Sequence, residues 1–495
     1  MDMYTNGYDT KITQKTVEST VFTKFDDGLS KINSSIEDND YSSNKQSKIF
    51  DNSFIAKSIN LTQAQFQYLK ASEDQETCYG LIFDAGSSST KINLYQWSCR
   101  TIQTVPEIDA KATQYTKAKP GIASFADNIS GIKGYLQPLI DAANEQIPDE
   151  IKQYVPIILF GTAGLRLIPE NQQNDILEEV RSIFSKSGYL YQPDWVQVIT
   201  GQNEGVFMWI SLNYLLDLIN DEPQDNFNTI ASIDLGGAST QIAFIAQNEI
   251  STSQNALVDF PYYNEYDVYS VSYLGYGNDQ ARQTVINSYG EWNDVKTQVT
   301  TPCLYKGFVG NLDGIDGEVI GSGNAQDCLD QITEFFLLDR CNKLQQEKGC
   351  GIAGLYQPFV PSSKTVYAVS GVGVAATFFD MDGEIYQLSE LQNKYVDLCN
   401  TSWDDIQNQY PGNDYISTTC FLGLYSSALL NQGYNLSLDR EIYSPNDING
   451  VEPSWTLGAM FYVVAQLPCT EDSPLCETAL KLFPKEIREI DEIQI

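Results

Sequence analysis

The chain has 495 residues, which is long for one ordinary domain and predicts two or three domains with large cores. Its formal net charge is −35 and it contains no histidine. The acidic charge argues against nucleic-acid binding, because phosphate backbones need basic protein faces. The missing histidine excludes Ser-His-Asp and Cys-His catalysis and His-ligated zinc, so a general base must be a carboxylate, Lys, Tyr or Cys.

Residues 1–76 are rich in Ser, Asn, Asp, Lys and Gln. This composition predicts a polar N-terminal extension that is partly disordered or docks onto the main body. The first residues, MDMYTNGYDTKITQK, lack the apolar stretch of a signal peptide. Nowhere does the sequence approach 18 uninterrupted apolar residues, so no transmembrane segment is predicted.

From Cys78 onward, short apolar runs alternate with helix-like stretches, which predicts an α/β fold. Residues 255–350 are rich in tyrosine and glycine and contain cysteines, which is typical of an irregular, disulfide-bearing insertion. The later stretch VYAVSGVGVAATFF predicts a buried strand and a turn. SWTLGAMFYVVAQL, from Ser454 to Leu467, predicts an apolar helix.

Two similar polar loops each follow an apolar run. DAGSSST spans Asp84 to Thr90, and DLGGAST spans Asp234 to Thr240, 150 positions later. In each we predict a strand, a tight turn and a second strand. Glycine lets the turn approach a ligand closely, backbone N–H groups form an anion-binding concavity, and the aspartate holds a divalent cation. One such loop is typical of an ordinary hairpin, whereas two indicate a duplicated domain with two facing phosphate loops.

A third element is GQNEGVFMWISLNYLL, in which Glu204 stands at the start of a predicted apolar helix. One interpretation is a charge that complements the dipole at the helix N-terminus. The other is a general base that orients and deprotonates a water molecule, a role for which glutamate is the natural candidate in a chain without histidine.

The ten cysteines include no CxxC pair, which argues against a zinc ribbon or a thioredoxin-like site. Their even number indicates disulfides and an oxidising compartment, and N-x-S/T sequons support a secreted chain. Because no signal peptide is visible, either the signal is not part of this sequence or the cysteines are free. The simplest pairing joins neighbours: Cys78–Cys99, Cys303–Cys328, Cys341–Cys350, Cys399–Cys420 and Cys469–Cys476. The sequons are at Asn33, Asn60, Asn128, Asn400 and Asn435.

Five blocks, in order, resemble the apyrase family of ecto-nucleoside triphosphate diphosphohydrolases. They are DAGSSST, GTAGLRL, GQNEGVFMW, DLGGASTQI and YAVSG, and further matches are YLGYGNDQAR, PCLYKGF and SWTLGA. The resemblance runs from about Cys78 to the C-terminal helix. It implies an α/β fold with two actin-like (ribonuclease-H-like) lobes and the active site in the cleft between them. Lobe I would comprise residues 77–200 plus about 450–495, and lobe II residues 201–449.

The resemblance also implies roles for individual residues. Glu204 would be the general base, and Asp84 and Asp234 would hold Mg²⁺ or Ca²⁺ through waters. Trp455 would lie near the water shell of the metal, and Tyr425 would stack on the nucleobase. Thr162, Ala163 and Gln241 would help to place the metal and the attacking water. Ser239 would be a catalytic residue as well as a phosphate-binding one. The phosphates would be cradled by Gly86, Ser87, Ser88, Ser89, Thr90, Gly236, Gly237, Ala238 and Ser239.

The sequence departs from the family pattern at three places. Ser89 stands where animal members often have His or Arg, and Gly275 stands where many have a cysteine. The fifth block continues as GVGVAATFF where many members have FYYT, which leaves Phe378 and Phe379 as candidates for one wall of the nucleobase site.

The function implied by the resemblance is cation-dependent hydrolysis of nucleoside tri- and diphosphates to monophosphates, with release of orthophosphate, in a secreted protein. The alternatives are an inactive nucleotide-binding or adhesion protein on the same scaffold and an actin-like kinase. No oligomeric state is predicted. Since nucleotides are anionic and the chain is acidic, local cations are expected to help binding, and the candidates are Lys91, Arg166, Arg282 and Lys306.

Overall fold

The computed structural model describes residues 77–98, 106–219, 228–247, 255–259, 265–292, 298–315, 317–341 and 349–465. Several predictions lie outside these described residues. They are the extension at 1–76, the roles of Cys99, Cys469 and Cys476, and the sequons at Asn33 and Asn60.

The described residues form a mixture of strands and helices. The strands are β1 (Thr77–Ala85), β2 (Thr90–Ser98), β3 (Gln114–Ala118), β4 (Ile157–Gly161), β5 (Val196–Val198), β6 (Ala231–Leu235), β7 (Ser239–Phe244), β8 (Asn255–Asp259), β9 (Glu265–Leu274), β10 (Glu291–Trp292), β11 (Gln298–Thr301), β12 (Val309–Gly310), β13 (Glu318–Gly321), β14 (Val366–Ser370), β15 (Ile385–Gln387) and β16 (Glu441–Tyr443). The α-helices are α1 (Ile132–Asn144), α2 (Ala163–Arg166), α3 (Glu170–Phe184), α4 (Gly201–Leu215), α5 (Asn278–Tyr289), α6 (Ala325–Phe335), α7 (Gly371–Thr377), α8 (Leu388–Cys399), α9 (Trp403–Gln409), α10 (Ile416–Ala428) and α11 (Trp455–Ala465).

These elements fall into two compact units. The two-sheet unit comprises the described parts of Lys45–Tyr273, Pro358–Tyr386 and Glu441–Ile495, and it contains a five-stranded and a seven-stranded sheet. The helical unit comprises the described parts of Leu274–Gln357 and Gln387–Arg440, and it contains a four-stranded sheet and helices α5, α6 and α8 to α10. The lobe boundaries in "Sequence analysis" group the residues differently and stay a prediction.

The five-stranded sheet has the order β3-β2-β1-β4-β5, and β1 is covered by helices on both faces. Because side chains alternate along a strand, Leu81 and Phe83 of β1 pack in one core cluster with α1 and α3. Ile82 points to the opposite face and packs in the cluster that contains α4 and α11. Asp84 lies two residues after Ile82, so it emerges on the α4 side of the sheet.

The seven-stranded sheet has the order β15-β16-β14-β6-β7-β9-β8. Its centre repeats the pattern of the first sheet. Strand β6 is antiparallel to β7 and parallel to β14, as β1 is antiparallel to β2 and parallel to β4. The predicted α/β class is therefore confirmed, and the two sheets share the predicted duplicated arrangement.

Helices α4 and α11 provide the core between these sheets. In α4 every side chain from Asn203 to Asn213 is buried, as expected for a helix that is apolar all round. The two helices cross closely at Gly458, where a Cβ atom would lie 1.9 Å from the Phe207 carbonyl oxygen. One cluster of buried side chains runs from β1 and β2 through both helices to β7, β8 and β9. The predicted C-terminal apolar helix is confirmed as α11 within the described range.

The helical unit contains three disulfides, Cys303–Cys328, Cys341–Cys350 and Cys399–Cys420. They confirm the predicted pairing of neighbours for these six cysteines. In the two-sheet unit, Cys78 is also disulfide-bonded. The predicted insertion at 255–350 is partly regular, because β9 is a long strand of the seven-stranded sheet. Within the part of the chain that the structure describes, no helix is long and apolar enough to cross a membrane.

Candidate active site

Both predicted polar loops are hairpin turns in the two-sheet unit. Ala85 pairs with Thr90 across the first hairpin, and Leu235 pairs with Thr240 across the second. Ser87 and Ser88 at the tip of the first loop are exposed, so a ligand could reach their backbone and hydroxyl groups. In the second loop the Gly236 N–H donates to the Ser239 carbonyl, at 3.0 Å, and closes the turn.

The block that begins at Thr162 lies against the first loop. The Thr162 N–H donates to the Ala85 carbonyl at 3.2 Å, which continues the pairing of β4 with β1. A Cβ atom on Gly164 would lie 2.6 Å from the Ser87 Cα atom, so only glycine permits this approach. Thr162 and Ala163 are consequently buried beside the first loop.

The threonine that ends each loop is buried. Thr90 is fully buried on β2, and its predicted role in cradling the phosphates stays a prediction. Its counterpart Thr240 is also fully buried and donates its hydroxyl to the Asp234 carbonyl at 2.9 Å. Position 90 follows the turn as the first residue of a strand, and a residue there points into the sheet packing.

Glu204 lies in the first turn of α4, whose N-terminus is held tightly against the seven-stranded sheet. The Thr200 hydroxyl accepts from the Asn203 N–H at 3.1 Å and caps the helix. A Cβ atom on Gly205 would lie 2.6 Å from the Ser270 Oγ atom, and one on Gly201 would lie 2.2 Å from Ser272 Oγ. Glycine on either side of Glu204 therefore allows the helix to approach β9, and Glu204 is only 8% exposed.

Two side chains, Arg166 and Gln241, converge on one oxygen of Glu204. Arg166 Nη2 donates to Glu204 Oε2 at 2.7 Å, and Gln241 Nε2 lies 3.5 Å from the same atom. Arg166 also donates to the Ile199 carbonyl at 3.0 Å and to Ser239 Oγ at 3.3 Å. Gln241 Nε2 donates to Ser239 Oγ at 2.8 Å. Among the described residues, every hydrogen bond to the Glu204 carboxylate reaches Oε2, which leaves Oε1 to accept a proton.

The two loop aspartates are strongly perturbed. Burial raises the pKa of Asp84 to about 7, and the negative charge of Glu204 adds to the rise, while Lys91 opposes it. Burial likewise raises the pKa of Asp234 to about 6, although the Ser370 side chain opposes this rise. These carboxylates and Glu204 repel one another in a poorly solvated place, which is typical of a functional site.

This arrangement fits a divalent cation. The Asp84 Oδ1 atom is shielded from solvent and has no hydrogen-bond partner, and carboxylate oxygens are the ligands that Mg²⁺ and Ca²⁺ prefer. In the described segments, no three His, Cys, Asp or Glu side chains come together as a direct metal cluster. The coordination of an ion bound by Asp84 and Asp234 would therefore be completed by ligands other than His, Cys, Asp or Glu side chains.

Two further predicted site residues are buried. Tyr425 lies in α10 of the helical unit, where its hydroxyl donates to the Tyr276 carbonyl at 2.6 Å and its ring stacks on Phe421. Its predicted stacking on a nucleobase stays a prediction. Trp455 begins α11 and is buried in the core cluster, and its predicted place near a metal's water shell stays a prediction.

The four predicted cationic side chains are divided between the two units. Lys91 lies directly opposite Asp84 in the pairing of β1 with β2, and its charge lowers the pKa of both loop aspartates. Arg282 lies in the helical unit, where it forms an ion pair with Asp279. Lys306 belongs to the helical unit as well. Of the four, Arg166 and Lys91 act on the site in the two-sheet unit.

Two serines of the site were not predicted. Ser272 Oγ accepts from Gln241 Nε2 at 2.9 Å, and Ser270 Oγ donates to the Gln202 carbonyl at 3.0 Å. They are alternate residues of β9 and face the start of α4. The sequence signal that could have identified them is the alternation of serine with larger residues in VYSVSYL. The rings of Phe378 and Phe379 pack edge to face just after α7, and their relation to a nucleobase stays a prediction.

A family model and individual relatives both match most of this chain. A model of the GDA1/CD39 (nucleoside phosphatase) family matches residues 70–479. Ectonucleoside triphosphate diphosphohydrolase 8 of Gallus gallus is 30% identical over 423 residues, which cover 79% of this chain and 84% of that protein. Probable apyrase 3 of Arabidopsis thaliana is 27% identical over 401 residues, which cover 77% of this chain and 81% of that protein.

A solved structure shows the same fold. It is described as nucleoside triphosphate hydrolases from Neospora caninum, and it superposes with a TM-score of 0.59 and 16% identity over 86% of this chain and 100% of that one. This likeness concerns the fold alone, and it agrees with the predicted α/β architecture.

Proposed function

The chain belongs to the GDA1/CD39 family of nucleoside phosphatases, and from this premise we propose that it hydrolyses nucleoside tri- and diphosphates to monophosphates and releases orthophosphate. The observation that carries the proposal is the position of Glu204. It is buried at the start of α4, fixed through Oε2 by Arg166, and its charge acts on Asp84 and Asp234. A carboxylate fixed at one oxygen can use the other to orient a water molecule.

The proposal gives a chemical role to the two loops, to their aspartates and to the residues around Glu204. The exposed backbone of the first loop and the N–H groups of the second bind the anionic phosphates. Asp84 and Asp234 would hold the divalent cation, which would supply positive charge to neutralise the terminal phosphate. Glu204 Oε1 accepts a proton from the attacking water, while Gln241 and Ser239 orient that water through their shared hydrogen bond. General-base assistance of this kind contributes about 10²–10⁴-fold to the rate.

The burial of the site explains how an acidic protein binds an anionic substrate. Three carboxylates near one another disfavour additional negative charge, and burial together with repulsion by Glu204 raises the pKa values of Asp84 and Asp234. A divalent cation reverses the sign of the local charge, and Lys91 and Arg166 add fixed positive charge. We therefore propose that nucleotide binding and turnover depend on Mg²⁺ or Ca²⁺.

We also propose a secreted or secretory-pathway location. The three disulfides of the helical unit support it, since structural disulfides persist in oxidising compartments.

The test is phosphate release from ATP, ADP, GTP, GDP and UDP with Mg²⁺, with Ca²⁺ and with EDTA. We expect release from both tri- and diphosphates, its loss in EDTA, and a fall of about 10²-fold or more in kcat for Glu204→Gln. Nucleotide binding by Glu204→Gln should stay measurable. Catalytic silence of the unchanged protein despite nucleotide binding would favour the inactive-scaffold alternative. Phosphate transfer only when an acceptor is added would favour a kinase.

A further inference from the structure

The first loop is held less firmly by its own hydrogen bonds than the second loop. In the second loop the Gly236 N–H donates to the Ser239 carbonyl, whereas no corresponding bond joins the described residues of the first loop. The N–H groups of Ser87 and Ser88 have no hydrogen-bond partner among the described residues, and both residues are exposed. The direction of these two donors therefore depends on contacts from outside the first loop.

Gly121 supplies a contact of this kind. It is buried, and a Cβ atom there would lie 2.5 Å from the Ser87 carbonyl oxygen and 2.6 Å from the Gly86 carbonyl oxygen. Gly164 packs on the same part of the loop, as its approach to Ser87 Cα shows. A peptide group is planar, so a carbonyl that cannot move also fixes the N–H of the residue that follows it. The two glycines thus fix the N–H groups of Ser87 and Ser88.

Space, and not backbone conformation, explains the glycine at position 121. Its φ of −60° and ψ of 150° are extended angles that any residue adopts without strain. The atoms that a Cβ would crowd are backbone oxygens, which cannot rotate away as the end of a flexible side chain can. A larger residue at position 121 would therefore displace either the first loop or the segment that carries Gly121.

The segment around Gly121 is anchored to the rest of the two-sheet unit. Ser124 donates to the Gly121 carbonyl through its N–H at 3.0 Å and through its hydroxyl at 2.8 Å. Ile122 is fully buried in the core cluster that also contains side chains of α1 and α3. The hydroxyl of Tyr135, in α1, donates to the Pro120 carbonyl at 2.5 Å. Because these contacts hold the segment, crowding at position 121 would displace the exposed loop.

We propose that Gly121 is a positioning residue, whose lack of a side chain lets its backbone hold the N–H groups of Ser87 and Ser88 as a preset pair of donors to the phosphate oxygens of the nucleotide. Donors that are already oriented lose less freedom on binding. The inference rests on the proposed function, because it concerns phosphate binding at the same site. It adds to that site the segment between β3 and α1, which carries none of the predicted site residues.

Gly121→Ala tests this role through the affinity for α,β-methylene-ADP, a diphosphate whose bridging carbon resists hydrolysis, in the presence of Mg²⁺. We expect the dissociation constant to rise about tenfold, because hydrogen bonds to a charged group are weakened, and the KM for ADP to rise with it. Isothermal titration calorimetry well below the melting temperature of each variant separates this loss of affinity from a loss of stability.

Gly290→Ala is the matched control. Gly290 has nearly the same backbone angles, φ −68° and ψ 146°, and a Cβ atom there would also crowd a backbone oxygen, that of Ile286 at 2.6 Å. It lies in the helical unit, whereas the first loop lies in the two-sheet unit. Gly290→Ala should lower the melting temperature and leave the dissociation constant of the analogue unchanged. An equal loss of affinity in both variants would contradict the proposed role of Gly121.

Ser124→Ala is a milder test, because it removes one donor to the Gly121 carbonyl at an exposed position. We expect the dissociation constant to rise about threefold. A folded Gly121→Ala variant that binds the analogue as tightly as the unchanged protein would show that Gly121 does not position the loop. If that variant does not fold, an unchanged dissociation constant for Ser124→Ala has the same meaning. If the unchanged protein neither binds the analogue nor releases phosphate from ADP, the proposed function itself fails.

Discussion

Arg166 Nη2 lies 2.7 Å from Glu204 Oε2, and both side chains are almost entirely enclosed. The same guanidinium donates to the Ile199 carbonyl, immediately before the loop that leads into α4. Arg166 therefore fixes the carboxylate and also joins the end of α2 to the chain that precedes the helix. Lysine has one ammonium group and cannot reproduce this planar set of donors.

We predict that Arg166→Lys lowers kcat of phosphate release by about 10–100-fold and destabilises the protein by about 1–3 kcal/mol. Steady-state kinetics and denaturant unfolding measure the two effects. Arg181→Lys is the matched control, since Arg181 also pairs with a glutamate and donates to two backbone carbonyls. It should lose some stability with little change in kcat. Equal effects of both substitutions on kcat would contradict a specific role for Arg166.

The close approach of α4 to the sheet gives a second prediction. A Cβ atom at position 205 would meet Ser270 Oγ at 2.6 Å and Gln241 Cβ at 3.1 Å. Gly205→Ala should push the start of α4 away from β7 and β9, displace Glu204, and lower kcat by about tenfold or more. Phosphate-release kinetics and thermal unfolding are the measurements.

Gly134→Ala is the control for Gly205→Ala. Gly134 lies inside α1, and a Cβ atom there would contact nothing within 4 Å. This substitution should stabilise the protein by about 0.5–1 kcal/mol and leave kcat unchanged. A Gly205→Ala variant with normal kcat would show that the helix start tolerates displacement.

The loops and Glu204 could be predicted from the sequence because their signals are local. An apolar strand followed by Asp, Gly and small polar residues specifies a hairpin, and Glu204 follows a capping threonine and begins an apolar run. Arg166 and Gln241 were candidates for the site, but their convergence on Glu204 Oε2 could not be predicted, since the residues come from separate segments that only the folded sheet brings together. The burial of Tyr425 could not be predicted, because its sequence pattern does not show which residues of the helical unit pack on the ring.

The raised pKa values of the loop aspartates predict how stability depends on pH. Asp84 and Asp234 have pKa values of about 7 and about 6 in the folded protein, above the ordinary value of 3.8. The folded state thus binds protons more tightly than the unfolded chain. Their contribution to the free energy of unfolding is largest below pH 4 and is lost as the pH rises to about 7.

A divalent cation binds the ionised carboxylates and should offset this loss. We predict that the rise in melting temperature caused by Mg²⁺ or Ca²⁺ is larger at pH 8 than at pH 5, where protons compete with the ion. Scanning fluorimetry with sodium chloride at matched ionic strength separates this effect from general screening. Asp84→Asn should weaken the pH dependence, and a cation effect that is equal at both pH values would contradict the prediction.

The position of Tyr425 gives the last prediction. Its hydroxyl donates to the Tyr276 carbonyl at 2.6 Å inside the core of the helical unit, and its ring lies between Phe421 and Phe336. Tyr425→Phe should leave that carbonyl without its donor and cost about 1–3 kcal/mol of stability, while the aromatic packing remains. The KM values for ADP and UDP should stay within about twofold of those of the unchanged protein, because a phenyl ring at this place keeps the same packing. A rise in KM that differs between ADP and UDP, with normal stability, would instead support the predicted contact of Tyr425 with the nucleobase, since only a residue that contacts the base would distinguish a purine from a pyrimidine.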